Sequence, residues 1–204
     1  LFAKQLLYTL ESYGKAVFPN FRTAWHFDDK IGQKYLLEGI GAPLVPTYVF
    51  YDKREAYSWA ENTSYPKVFK LRHGSGGSHV RLVYNENTAK KLIKKAFGKG
   101  FKQYNAVSNL RDRWHKYRDG KTTLYNVAKG VLRLGYTTEF SKTAGKERGY
   151  VYFQDFIPGN EYDMRINVVA GKCFGCIRPN RPGDFRASGS GLVSYDFEKI
   201  PESV

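Results

Sequence analysis

"VFKLRHGSGGSHVRLVY", Val68 to Tyr84, sets two β-rich runs, KVFKL and HVRLVY, on either side of Gly74, Ser75, Gly76 and Gly77. Glycine-rich loops often cradle phosphates, and the flanks say which kind this one is. A P-loop needs G-x-x-x-x-G-K-[ST] between a strand and a helix, so that the helix N-terminus faces the phosphates. No Lys-Ser/Thr follows these glycines, and the next segment is a strand. A dinucleotide fingerprint needs the same helix and fails with it. What remains is strand, loop, strand: a hairpin over 68–84 with a glycine flap at its tip. Lys70 sits on the first strand, within reach of phosphates that the loop's N–H groups would cover. An ordinary Gly/Ser hairpin has the same signature, so the loop alone leaves both readings open.

Outward from the flap, helical and extended patterns alternate. Residues 1–26 carry Leu6, Leu7 and Leu10 at the spacing of an amphipathic helix ending near Gly14. Asp28 or Asp29 caps a helix bearing Ile31, Leu36 and Leu37, which Gly39 and Gly41 stop, and a short strand follows at about 47–50. REAYSWAEN reads as a helix, and NENTAKKLIKKAF as another, capped by Asn85 or Asn87, with Leu92, Ile93 and Phe97 inward. Two more helices fall near 108–118 and 122–133. From Tyr150 the pattern turns to strands: YVYFQDF, EYDMRINVVA and KCFGCIR. The expectation is an α+β chain of two lobes, 27–150 and 151–204, each with an antiparallel sheet and helices, joined near Gln154.

The chain has 204 residues, and 33 Lys and Arg against 19 Asp and Glu give a formal charge of +14. Such a balance favours polyanionic partners. It is uneven. From Lys94 to Arg148 there are fourteen basic residues against four acids, so +10 of the +14 lies there. A helical insert over 98–148 is expected, either as a solvated face or as a docking surface for an anion. No segment approaches the ~18 apolar residues of a membrane span. Cys173 and Cys176 make no disulfide framework, so a reducing cytoplasm is the expected setting. The chain opens on Leu1 and its one methionine is Met164; a piece of a longer product is expected.

The second cluster is more specific: VYFQDFIPGNEYDMRINVV at 151–169, then GCIRPNRPGDFRASGSG at 175–191. With Asp29–Lys30 opening a helix that leads into GIGAPLVPTY, and with the lysine-bearing strand and flap at 68–80, the sequence resembles the ATP-grasp superfamily and, within it, RimK-like carboxylate–amine ligases. The four segments occur in the family's order over about 27–192, interrupted by the basic insert.

The resemblance implies an ATP-grasp fold with a nucleotide cleft between the lobes, and ATP with Mg2+ as cofactors. Lys30 and Lys70 would contact phosphate oxygens, with Gly74, Ser75, Gly76 and Gly77 covering them. Gln154 and Phe156 would line the adenine through backbone hydrogen bonds at the hinge, between Val68 and Ile157. Glu161 would accept from the ribose hydroxyls, and Asp163 and Arg165 alternate with it on one strand face. Arg178, Arg186 and Arg165 would be the catalytic cations, with Arg181 and Ser188 nearby, for γ-phosphate, acyl phosphate or substrate carboxylate. The implied reaction passes a phosphoryl group from ATP to a carboxylate, and an amine then attacks the acyl phosphate, with cell-envelope glycan or peptide modification as one setting for it.

The family's metal-binding acids have no counterpart in LVSYDFEKIPESV, so the Mg2+ ligands are expected beyond residue 204 and little ligase activity is expected of residues 1–204 alone. Two other readings stay open. One is an ATP-grasp kinase. The other is a nucleic-acid-binding module built on RDRWHKYRDGK, where bases mix with aromatics. The CxxC of Cys173 and Cys176 lacks a second pair and reads as structural. His73 and His79 flank the flap; His26 and His115 have no partner pattern.

Overall fold

Short strands rich in β-branched and aromatic residues build the principal sheet. The computed structural model describes residues 2–74, 79–103, 106–118, 120, 122–135, 145–188 and 191–201. Helices α1 (Phe2–Ser12), α2 (Phe21–Ala24) and α3 (Lys30–Gly39) precede strand β1 (Thr47–Phe50), helix α4 (Lys53–Asn62), strands β2 (Lys67–Lys70) and β3 (Val80–Val83), and helix α5 (Glu86–Ala96). Strand β4 (Phe101–Lys102), helices α6 (Ala106–Arg118) and α7 (Leu124–Gly135), and strand β5 (Lys146–Glu147) form the insert. Strands β6 (Val151–Asp155), β7 (Tyr162–Val169) and β8 (Lys172–Pro179) complete the regular elements, with a 3-10 turn at Phe197–Lys199. This is the α+β architecture expected.

The sheet runs β1–β6–β2–β3, every pair antiparallel. Because side chains alternate across a strand, Phe69 of β2 and Phe153 of β6, which are register partners, face α4 and α5. There they pack with Ala56, Ala60, Val83 and Ile93, and the Trp59 ring lies 4.9 Å from that of Phe153. Full burial of each large side chain contributes about 1.5–3 kcal/mol relative to leaving it in water. The other face carries Val68, Lys70, Tyr152 and Gln154, and Ile31 of α3 covers one end of it with Tyr150, Tyr152 and Val49. That second face positions the site.

Helix starts follow their caps. Asp29 accepts from the Gly32 N–H at 2.9 Å, and Asn85 from the Thr88 N–H at 2.9 Å, fixing which of the two candidate residues caps each helix. Asp52 does the same for α4 through Arg54 and Glu55.

Three features differ from expectation. Strand β6, placed by the sequence pattern at the opening of the second lobe, is an inner strand of the first sheet, since its register partners lie on β1 and β2. Leu6, Leu7 and Leu10 of α1 stay exposed, while Tyr8 meets Phe21 edge-on at 5.3 Å. And the insert is closed at its root: β4 and β5 pair as Phe101↔Glu147 and Lys102↔Lys146. Beyond this root α6 and α7 pack closely. A Cβ on Gly130 would lie 2.9 Å from Arg113 Cδ and 3.0 Å from Leu110 Cδ1, and Arg113 donates to the Asn126 carbonyl at 2.8 Å. The last unit is the β7–β8 hairpin, paired along all eight residues of each strand.

Candidate functional site

Lys70 ends β2 on the face of the sheet opposite Phe69. Its Nζ donates to Oε1 of Gln154 at 2.5 Å, diagonally across the β2–β6 ladder. Gln154 is oriented in turn by donating to Thr47 Oγ1 at 2.9 Å. Burial pushes the Lys70 ammonium down to about 8, and the nearby Lys30 cation adds to this. Lys30 begins α3. Its N–H donates to the Arg72 carbonyl at 3.0 Å and its Nζ to the Gly74 carbonyl at 2.7 Å. Burial lowers the Lys30 ammonium as well, against the attraction of Asp28, Glu147 and Asp29. Two lysines from distant segments thus converge beneath the entry to the glycine loop.

The loop entry is held by acids. Asp28, at φ 52°, a conformation Asp tolerates better than most residues, accepts from the Gly74 N–H at 3.0 Å. Asp29 takes a forked pair from Arg72, at 2.9 and 2.5 Å. Burial raises the Asp29 carboxyl, but Arg72 and the Gly32 N–H outweigh it and hold it at about 2. Glu147, on the insert's root, is buried and was not singled out from sequence. It lies 2.5 Å from His73 Nδ1, and accepts from Gln103 at 2.9 Å and from the Tyr150 hydroxyl at 2.7 Å. That hydroxyl accepts from the Arg72 N–H at 2.7 Å. Burial drives Glu147 upward, yet the bonds from His73, Tyr150 and Gln103 prevail and keep it below the ordinary carboxylate range. His79 bonds the Gln103 carbonyl on the flap's far side. Ser75, Gly76 and Gly77 lie outside the described residues, as do Gly189 and Ser190.

The remaining expected site residues form a second group. Arg178 and Asp163, register partners on β8 and β7, make a bidentate pair with both contacts at 2.6 Å. Arg186 forks onto Asp184 at 2.5–3.0 Å, and the Arg186 carbonyl accepts from the Arg181 N–H at 3.2 Å. Arg181 also donates to the Ser188 carbonyl at 2.8 Å. Arg165 is exposed on the hairpin. Glu161 is exposed too, and its carbonyl accepts from the Asn180 N–H at 2.8 Å. The link between the groups is the chain leaving β6, where the Phe156 ring meets Phe185 edge-on at 5.8 Å. Gln154 is flanked on both edges by strands, and it is its side chain that meets Lys70.

Among the described residues, no group of three or more His, Cys, Asp or Glu is placed to hold a metal ion. Asp163 and Asp184 are engaged by arginines. No step through magnesium is assigned to these residues. Among the described residues, no helix is long and apolar enough to cross a membrane.

Residues 29–114 match the family model described as carbamoyl-phosphate synthase L chain, ATP binding domain. Among solved structures the chain is similar to a RimK domain ATP-grasp protein from Sphaerobacter thermophilus DSM 20745, with 18% identity and a TM-score of 0.46 over 81% of this chain. The chain spans 46% of the length of that structure. No match to a curated protein sequence was found.

Proposed function

We propose that this chain carries the nucleotide-binding part of an ATP-dependent, RimK-like ligase that joins a carboxylate to an amine through an acyl phosphate. The observation that supports this is the convergence of Lys30 and Lys70. The hydrogen-bond partner of Lys70 is a neutral amide, and the Lys30 cation disfavours its charged form. Such a pair stores repulsion that a polyphosphate relieves, so binding energy comes from charge neutralisation without reorganisation of the site. The chemistry fits the residues at hand: phosphoryl transfer asks for positioning and charge stabilisation rather than a side-chain nucleophile. Gly74 and the flap cover the phosphates, Gln154 and Phe156 border the base, Glu161 serves the ribose, and Arg165, Arg178 and Arg186 meet the acyl phosphate and acceptor.

Isothermal titration of ATP into the protein tests this. Saturable binding is expected, with affinity at least tenfold lower in Lys70→Ala. Equal affinity in the two proteins overturns the reading. In the ligase reaction of a complete protein containing this chain, the same substitution lowers turnover at least tenfold. ADP release that depends on a carboxylate, with hydroxylamine trapping the acyl group as a hydroxamate, separates ligase from kinase.

A further inference from the structure

Helix α7 keeps an apolar stripe that α6 leaves uncovered. Val127 and Gly130 are buried toward α6. Leu124 and Val131, three residues before and four after Val127, border that buried side, and Leu132 lies further round the helix; all stay exposed, Leu124 at 59% and Leu132 at 73%. Tyr125 extends the stripe, and Lys129 stands over its ring at 4.9 Å. Arg133 lies on the polar side, and Trp114 is half exposed on α6. A solvated surface helix shows the reverse arrangement. The surrounding stretch carries +10 of the chain's +14 charge.

We propose that the α6–α7 hairpin docks on an anionic membrane surface, with α7 lying along the lipid interface. The occupant must accept both a leucine-rich stripe and a strong positive field. A second copy of the chain would bring the same charge against itself. A nucleic acid would match the charge but leave Leu124, Val131 and Leu132 without apolar partners. An anionic bilayer satisfies both: the stripe enters the headgroup boundary while Lys129 and Arg133 stay among the phosphates. Trp114 adds an aromatic of the kind enriched at that depth. At 12 residues, α7 is about 18 Å long, so it lies on the bilayer and does not cross it. The inference is independent of the nucleotide reading.

Co-sedimentation with vesicles of phosphatidylcholine, with and without phosphatidylglycerol, tests it. Binding is expected only with the anionic lipid. Leu132→Asp lowers the partition at least about tenfold, and Lys129→Gln and Arg133→Gln lower it by roughly fivefold each. Leu132 is exposed, so its variant keeps the fold, as circular dichroism verifies. Absence of binding to the anionic vesicles, or equal binding by Leu132→Asp, overturns the proposal. So does single-stranded RNA bound in preference to the vesicles, or a dimer in light scattering that Leu132→Asp dissolves.

Discussion

Glu147 and His73, 74 residues apart, meet at 2.5 Å and join the root of the basic insert to the base of the glycine flap. The carboxylate is buried, and Gln103 and Tyr150 bond to it as well. Glu147→Ala strands these donors, and leaving buried partners unsatisfied costs about 2–4 kcal/mol. Urea denaturation should show the midpoint falling with its slope unchanged. The folded carboxyl lies below its ordinary range, so its stabilisation is present above that range and fades as pH falls through the folded value. Glu147→Gln flattens this acid limb. A wild-type-like midpoint in Glu147→Ala removes the carboxylate from the architecture.

Local signals carried much of this fold. The caps, narrowed to Asp28 or Asp29 and to Asn85 or Asn87, the β-rich run KVFKL and the Gly/Ser loop each depend on neighbours a few residues away, and all are legible in the chain. Side-chain alternation along strands also places Lys70 and Gln154 on one face once β2 and β6 are paired. What the sequence hid is non-local. Strands β4 and β5 are two residues long, too short for any period, and Glu147 gains its meaning from His73 and Gln103, far away in sequence. The lobe boundary was misplaced for a related reason: β6 has the composition of the strands that follow it, and only its pairing with β1 and β2 assigns it to the first sheet. Arg178 and Arg186 were visible, but not their engagement by Asp163 and Asp184.

Lys70 couples anion binding to protons. Its ammonium is held at about 8 by burial and by Lys30, below the ordinary 10.5, so in the free protein the charged form is disfavoured and is lost as pH rises through 8. A bound polyphosphate stabilises the charged form and raises that value. ATP binding near pH 8.5 is therefore accompanied by proton uptake, and affinity declines as pH rises further. Titrations in buffers of differing ionisation enthalpy measure the uptake, which Lys70→Gln abolishes. Proton release in place of uptake contradicts the assignment.

Asp29 has two tasks that substitutions separate. Its carboxylate caps α3 and pairs with Arg72. Asp29→Asn keeps an acceptor for the cap and loses the ion pair, whereas Asp29→Ala loses both and costs about 2–4 kcal/mol. The folded carboxyl stands at about 2 against an ordinary 3.8. Its stabilisation is complete above the latter and disappears as pH falls toward the former. The gap in unfolding free energy between wild type and Asp29→Asn should close over that interval. A gap that is constant with pH means that Asp29 acts through the cap alone.

Gly100 precedes β4 and turns the chain into the insert's root. Its φ is +68°, and a Cβ there would meet the Glu147 carbonyl oxygen at 2.8 Å and Arg148 Cβ at 3.0 Å. Gly41 has nearly the same backbone, φ +67°, with nothing within 4 Å. Gly41→Ala therefore carries only the cost of a left-handed alanine, about 1–2 kcal/mol. Gly100→Ala adds a collision with the main chain beside Glu147, which moves only if the β4–β5 pair opens. We expect it to destabilise by at least about 1 kcal/mol more than Gly41→Ala, and to raise amide exchange at Lys102 and Glu147. Equal costs at the two glycines would mean that the insert's root does not close as tightly as the pairing of Phe101 with Glu147 requires.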